Sequence, residues 1–225
     1  GFVEITGEVG TGKTTLCRVL LESLDADTEA AFIFNPMLDS IRLLKAINDE
    51  FGISSEADNT KELIDALNFF LLRKKSQGRK VVLLIDEAQN LNEKVLESIR
   101  LLSNFETPWM KLIHIVLAGQ PQLANRLAKP SMAQLRQRIS FDVRIEPFTP
   151  EEVDLYINHR LWVAGYKGEP LFSIGARALI AERSEGIPRI INNMCFCAMS
   201  YAWAMKRKTV DRDTNPLFYD LIAEF

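Results

Sequence analysis

An α/β core on a parallel sheet, followed by a smaller all-helical unit, is the fold class this sequence predicts, and three observations predict it. Wholly aliphatic runs such as Val81–Ile85 suit only strands buried on both faces. Helical apolar patterns separate those runs, which is the alternation of a βαβ chain. From Thr149 onward the runs stop and helical patterns alone remain. With 225 residues, 47% of them hydrophobic, the chain can bury one large domain or a larger and a smaller one. Its 27 basic and 30 acidic residues leave a net charge of −3, which neither demands nor excludes a nucleic acid. No apolar run approaches the roughly 20 residues that span a bilayer. Cys17, Cys195 and Cys197 imply no disulfide framework and no metal cage, so a reducing, cytoplasmic setting is expected. Gly1 opens directly on a strand, as in a piece of a longer protein, and any membrane contact is expected through segments outside this chain.

Phe2–Ile5 is the first strand. Gly7, Glu8, Val9, Gly10, Thr11, Gly12, Lys13, Thr14 and Thr15 follow it and lead into a helix with Leu16, Val19, Leu20 and Leu24 on one face. Strand, glycine loop and helix are the parts of a phosphate cradle: the loop's N–H groups turn inward, the helix N-terminus adds partial positive charge, and Lys13 can reach the terminal phosphates. Thr14 would place a hydroxyl on Mg²⁺. A second strand, Ala30–Phe34, stops at Asn35-Pro36. Two amphipathic helices follow, one on Ile41, Leu44, Ile47 and Phe51 and one on Leu63, Leu67, Phe70 and Leu71, with a polar connection from Ser54 to Asn59 between them. Arg73, Lys74, Lys75, Arg79 and Lys80 form a basic cluster at the second helix's end, a solvated terminus or a patch for nucleic acid.

The run Val81–Ile85 ends in Asp86-Glu87. Carboxylates at that edge of a central parallel strand face the ligand crevice, Asp86 suited to Mg²⁺ and Glu87 to polarising a water. Asn92 then caps a helix on Val95, Leu96, Ile99 and Leu102. The strand Leu112–Ala118 carries His114, read as a core histidine, and exits at Gly119-Gln120-Pro121, where Gln120 is better placed for chemistry. Arg136 and Arg138 precede the last strand, Phe141–Ile145, as surface charge or as guanidinium donors to a neighbouring subunit's phosphate. Thr149-Pro150-Glu151-Glu152 announces a capped helix, and the boundary between residues 1–148 and 149–225 is placed there. Two more helices run from Ser173 to Glu185 and from Pro188, with Arg189 off the latter's apolar stripe and within reach of a nucleotide, and a loose segment and short helix are expected from Thr209 to Phe225.

In this order the motifs resemble those of the AAA+ ATPases, whose P-loop NTPase core is a five-stranded parallel sheet carrying a small helical lid. The matching parts are a Walker A loop at Gly7–Thr14, a Walker B strand ending Asp86-Glu87, Gln120 in the sensor 1 place, Arg138 or Arg136 as arginine finger, and Gly186-Ile187-Pro188-Arg189 in the sensor 2 place. The resemblance implies ATP and Mg²⁺ as ligands, and Asn35 as a restraint on the catalytic glutamate. More narrowly, GEVGTGKTTLCR at 7–18, LLIDEAQNL at 83–91, AGQPQL at 118–123 and EGIPRIIN at 185–192 resemble the ExeA/GspA family, with its MSHA pilus relative MshM. That implies a homo-oligomer with shared nucleotide sites, coupling ATP turnover to secretion or pilus assembly proteins. Two other readings are an ATP-dependent DNA-binding regulator resembling TniB or TnsC, using the Arg73–Lys80 cluster or Lys206-Arg207-Lys208, and a nucleotide-gated scaffold with very slow turnover.

Overall fold

The computed structural model describes residues 1–34, 36, 39–54, 59–107 and 110–212. Its contacts divide the chain into two compact units, one of Gly1–Val9 with Lys13–Ile145 and one of Gly10–Gly12 with the residues from Glu146.

The first unit is built on five parallel strands: β1 (Phe2–Gly7), β2 (Thr28–Ile33), β3 (Lys80–Ile85), β6 (His114–Gly119) and β7 (Ile139–Ile145), in the order β2-β3-β6-β1-β7. β1, β3 and β6 are buried along nearly their whole length, which is why β3 and β6 read as apolar runs after their first residue, while β1 buries Glu4 and Thr6 among its apolar residues. The edge strand β7 is exposed along its middle, including Phe141 and Val143. A short antiparallel pair, β4 (Glu106–Thr107) and β5 (Met110–Lys111), was not anticipated from the sequence.

Helices α2 (Ser40–Glu50), α3 (Thr60–Ser76) and α4 (Glu93–Leu102) supply the larger core with Leu44, Ile47, Leu63, Leu67, Leu71, Leu96 and Ile99 against Leu83, Ile85, Ile115 and Leu117. Asn92 caps α4 as expected and Asn59 caps α3, each side chain accepting a backbone N–H at 3.0 Å. On another part of the sheet, α1 (Lys13–Glu22) meets Ile5, Leu84, Val116 and Ala118 through Cys17, which is fully buried. That corrects the expected stripe: Leu16 and Val19 are 41% and 54% exposed, and only Leu20 of the expected face packs here together with Leu21. Ile41 of α2 is likewise 38% exposed, its place in the core taken by Leu43. His114 is a further correction, because as the first residue of β6 it is exposed rather than a core histidine. Helices α5 (Pro121–Leu127) and α6 (Ala133–Arg136) lie between β6 and β7 in sequence.

The second unit is helical. α7 (Pro150–Val163) opens with a complete capping box between Thr149 and Glu152, and α8 (Ile174–Ser184) and α9 (Pro188–Ala204) join it around Val153, Ile157, Phe172, Ile180, Ile191, Met194 and Ala198. Phe172 bridges to Val210. Of the tail expected to form a short helix, residues 213–225 lie outside the described residues, as does Asn35. Among the described residues no helix is long and apolar enough to cross a membrane.

Candidate active site

β1 ends at Gly7, and the chain turns through Glu8 and Val9, both exposed, before α1 begins at Lys13. Gly10 and Gly12 take φ of +85° and +99°, where side chains other than glycine are strained. In the second unit a Cβ at Gly10 would also stand 2.9 Å from Arg189 Cβ and 3.0 Å from Ile187 Cγ2. The Arg189 N–H donates to the Gly10 carbonyl at 3.3 Å, and the Arg189 side chain is exposed in the first turn of α9. Thr11 is buried.

In the first unit Lys13 is buried, and its ammonium donates to the carbonyls of Gly7 and Glu8, both at 2.8 Å. A cation drawn into the mouth of its own loop is placed for anionic oxygens. The neighbouring Thr14 Oγ1 donates to Asp86 Oδ2 at 2.6 Å, while Thr15 is exposed. Asp86 is fully buried at the exit of β3, and its other oxygen accepts the Glu87 N–H at 2.8 Å. A hydroxyl and a carboxylate converging on one point are the hard oxygen donors that Mg²⁺ takes when phosphates and water complete its octahedron. The residues therefore fit the ion, and they do so without a wholly protein-built cage: among the described residues no cluster of three or more His, Cys, Asp and Glu could hold a metal.

Glu87 stands at φ 53°, ψ 34°, the left-handed region, on the turn into a 3₁₀ segment at Ala88–Asn90. Gln89 Nε2 donates to Glu87 Oε2 at 2.5 Å, and Gln120 Nε2 approaches the same oxygen at 3.5 Å. Gln89 Oε1 in turn accepts the Gln120 backbone N–H at 3.0 Å. Lys13, Thr14, Asp86, Glu87 and Gln120 are thus joined through the loop, the exit of β3 and the exit of β6. Sequence reasoning missed Gln89, whose only signal was a polar amide two residues beyond Glu87.

Arg138 and Arg136 are not part of this group. Arg138 donates to Ser103 Oγ at 2.6 Å and lines a cleft of about 520 Å³ with Gly1, Phe2, Lys111, His114 and Phe141, at the end of β1 opposite the loop. Arg136 is exposed and donates to the Ala128 carbonyl at 3.5 Å.

Residues 1–127, which contain all of the first-unit group, match the family described as AAA domain. The chain belongs to the AAA domain family. It is 43% identical over 98% of its length to general secretion pathway protein A of Aeromonas hydrophila, and it spans 41% of that relative. Among solved structures it resembles Cdc6p of Pyrobaculum aerophilum, with a TM-score of 0.69 and 17% identity over 93% of this chain and 57% of that one. It also resembles the RuvB Holliday junction branch migration motor of Thermotoga maritima, with a TM-score of 0.67 and 20% identity over 98% of this chain and 61% of that one. These two likenesses concern the fold. As a member of the AAA domain family, similar to general secretion pathway protein A, the chain carries the glycine loop at Gly7–Thr14 and the adjacent carboxylates Asp86 and Glu87 on a sheet of order β2-β3-β6-β1-β7.

Proposed function

We propose that this AAA domain is the ATP-binding and ATP-hydrolysing motor or switch of a secretion or pilus assembly apparatus of the general secretion pathway type, acting as a homo-oligomer with shared nucleotide sites. The observation that carries the nucleotide chemistry is the 2.6 Å contact of Thr14 with Asp86, one residue before Glu87. The apparatus is inferred from the 43% identity to general secretion pathway protein A.

The loop N–H groups and the α1 N-terminus receive the phosphates, and Lys13 exchanges its two carbonyls for phosphate oxygens. Thr14 and Asp86 would hold Mg²⁺, which would supply positive charge to the phosphates. Glu87 orients and deprotonates the attacking water, Gln120 takes the sensor 1 role beside Glu87, and Arg189 is assigned the sensor 2 role by its motif. β1 has six residues, so the cleft holding Arg138 lies roughly 17–20 Å from the loop of the same chain. Arg138 therefore serves a neighbouring subunit's nucleotide, and its anchored, half-buried side chain makes it a better finger than Arg136.

The basic cluster offers little to nucleic acid. Lys74 and Arg79 pair with Glu29 at 2.6 and 3.0 Å, and Lys80 lies 3.5 Å from Asp25. Anisotropy of labelled duplex DNA at about 0.15 M salt should show no submicromolar binding with ATP or ADP; tight binding with ATP alone would favour the DNA-regulator reading. The direct test of the enzyme is Glu87→Gln, which should retain ATP binding and lose turnover by roughly 100-fold or more. An unchanged turnover number would remove Glu87 from the mechanism.

A further inference from the structure

Gln89 lies on the 3₁₀ segment that follows Glu87, and three elements converge on it. Its main chain is held from α5, where the Arg126 guanidinium donates to the Gln89 carbonyl at 2.9 Å and to the Leu91 carbonyl. Its amide lies against the exit of β6: a Cβ at Gly119 would stand 2.9 Å from Gln89 Oε1 and 3.2 Å from its backbone nitrogen, so the absence of a side chain at 119 is what lets the amide approach. On its third side is the Glu87 carboxylate.

The chemistry of the partners fixes which way the amide faces. A carboxylate only accepts and a peptide N–H only donates, so Nε2 must point to Glu87 and Oε1 to Gln120, and the flipped amide would set oxygen against oxygen. The result is a directed chain from peptide N–H to amide to carboxylate, in which each bond polarises the next. Both amide donors, from Gln89 and Gln120, meet Glu87 at Oε2. Oε1 is left as the oxygen that would take a proton from water.

We infer that Gln89 is a positioning residue for hydrolysis, an amide bridge that holds the Glu87 carboxylate in one orientation and ties it to the exit of β6. This rests on the reading of Glu87 as the water-orienting group. Because the bridge touches Glu87 and the Gln120 backbone rather than the loop, its loss disturbs the hydrolytic step and spares nucleotide binding.

The experiment uses the full chain, with steady-state turnover of ATP, titration of a fluorescent ATP analogue, and thermal unfolding. Gln89→Ala and Gln89→Met, the latter keeping length without donor or acceptor, should each lower kcat by about tenfold or more while the analogue's Kd stays within about twofold. Gly119→Ala, which crowds the amide, should act in the same direction. Placed on Glu87→Gln, either Gln89 substitution should cost nothing further, since a residue that acts through Glu87 has nothing left to position. A residue of merely structural importance would instead lower the unfolding midpoint and weaken binding in both backgrounds. Wild-type or faster turnover in Gln89→Met, or a loss that adds to that of Glu87→Gln, overturns the inference. If Glu87→Gln itself turns over like the wild type, the reading of Glu87 fails first and the role of Gln89 falls with it, an outcome separable because the Glu87 single variant is scored alone.

Discussion

At the scale of single residues, the nucleotide site spends its buried polar groups in pairs, and one buried carboxylate outside it does not. Lys13 meets two carbonyls and Asp86 meets Thr14 and the Glu87 N–H. Removing the lysine head should therefore remove phosphate affinity more than stability: Lys13→Ala is expected to weaken binding of a fluorescent ATP analogue by at least about tenfold, or 1.4 kcal/mol, with the unfolding midpoint little changed. Glu4, in the middle of β1 and opposite Asp142 of β7, is 5% exposed, and its Oε1 has no hydrogen-bond partner. Burial first, then the Asp142 charge, push its carboxyl from an ordinary 4.5 up to about 7. The folded state thus binds this proton more tightly than the unfolded chain, so the contribution to stability falls as pH rises from about 4.5 to about 7 and stays low above that. Glu4→Gln should be neutral near pH 4 and stabilising by about 1–3 kcal/mol above pH 7. Thermal midpoints across that range decide it, and a gain independent of pH would exclude titration of Glu4 as the cause.

At the scale of elements, what was legible is what the local chain encodes. Thr149 and Glu152 form both bonds of the expected capping box, at 3.3 and 2.8 Å. Thr149→Ala should lower stability by about 1 kcal/mol, measurable as a shift in urea midpoint; no shift would mean that tertiary packing alone holds the start of α7. β3 and β6 were legible because burial on two faces demands apolar residues, and α3 because the four positions read as its core face, Leu63, Leu67, Phe70 and Leu71, are the four that are buried. In α1 the same logic chose the wrong face. The helix carries apolar residues on more than one side, and periodicity cannot say which of them the sheet covers, so Cys17 was passed over as a packing residue while Leu16 and Val19 were taken for core. His114 misled for a related reason: Ile113 and Ile115 on either side are buried, but at the strand's first position His114 opens on the cleft that Arg138 lines. The antiparallel pair of β4 and β5, two residues each, is too short to show any period. Within the site, Walker motifs occupy contiguous stretches and could be read directly, whereas the Gln89 bridge depends on the approach of β6 to the turn after β3, a neighbourhood that the linear order hides.

For the molecule as a whole, the sheet sets the loop and Arg138 at opposite ends of one strand, and the proposed role of Arg138 at a neighbouring subunit's nucleotide is tested at this scale. Arg138→Ala should bind nucleotide normally and turn over at least about tenfold more slowly. Lys13→Ala keeps the guanidinium but lacks the phosphate grip, so mixing the two inactive chains should recover part of the activity. Failure of the mixture to exceed either chain alone would rule out a site shared in this way.

Cys17 gives the first unit an internal clock. Its thiol is fully covered beneath α1, and burial, reinforced by the Asp86 charge and opposed by Lys13, pushes its pKa up to about 11. A maleimide can label it only during the moments when α1 lifts from the sheet, so the modification half-life measures the frequency of that opening. A ligand gripping the loop just ahead of the helix should lengthen the half-life in step with its occupancy, turning one silent cysteine into a readout of nucleotide binding that needs no turnover.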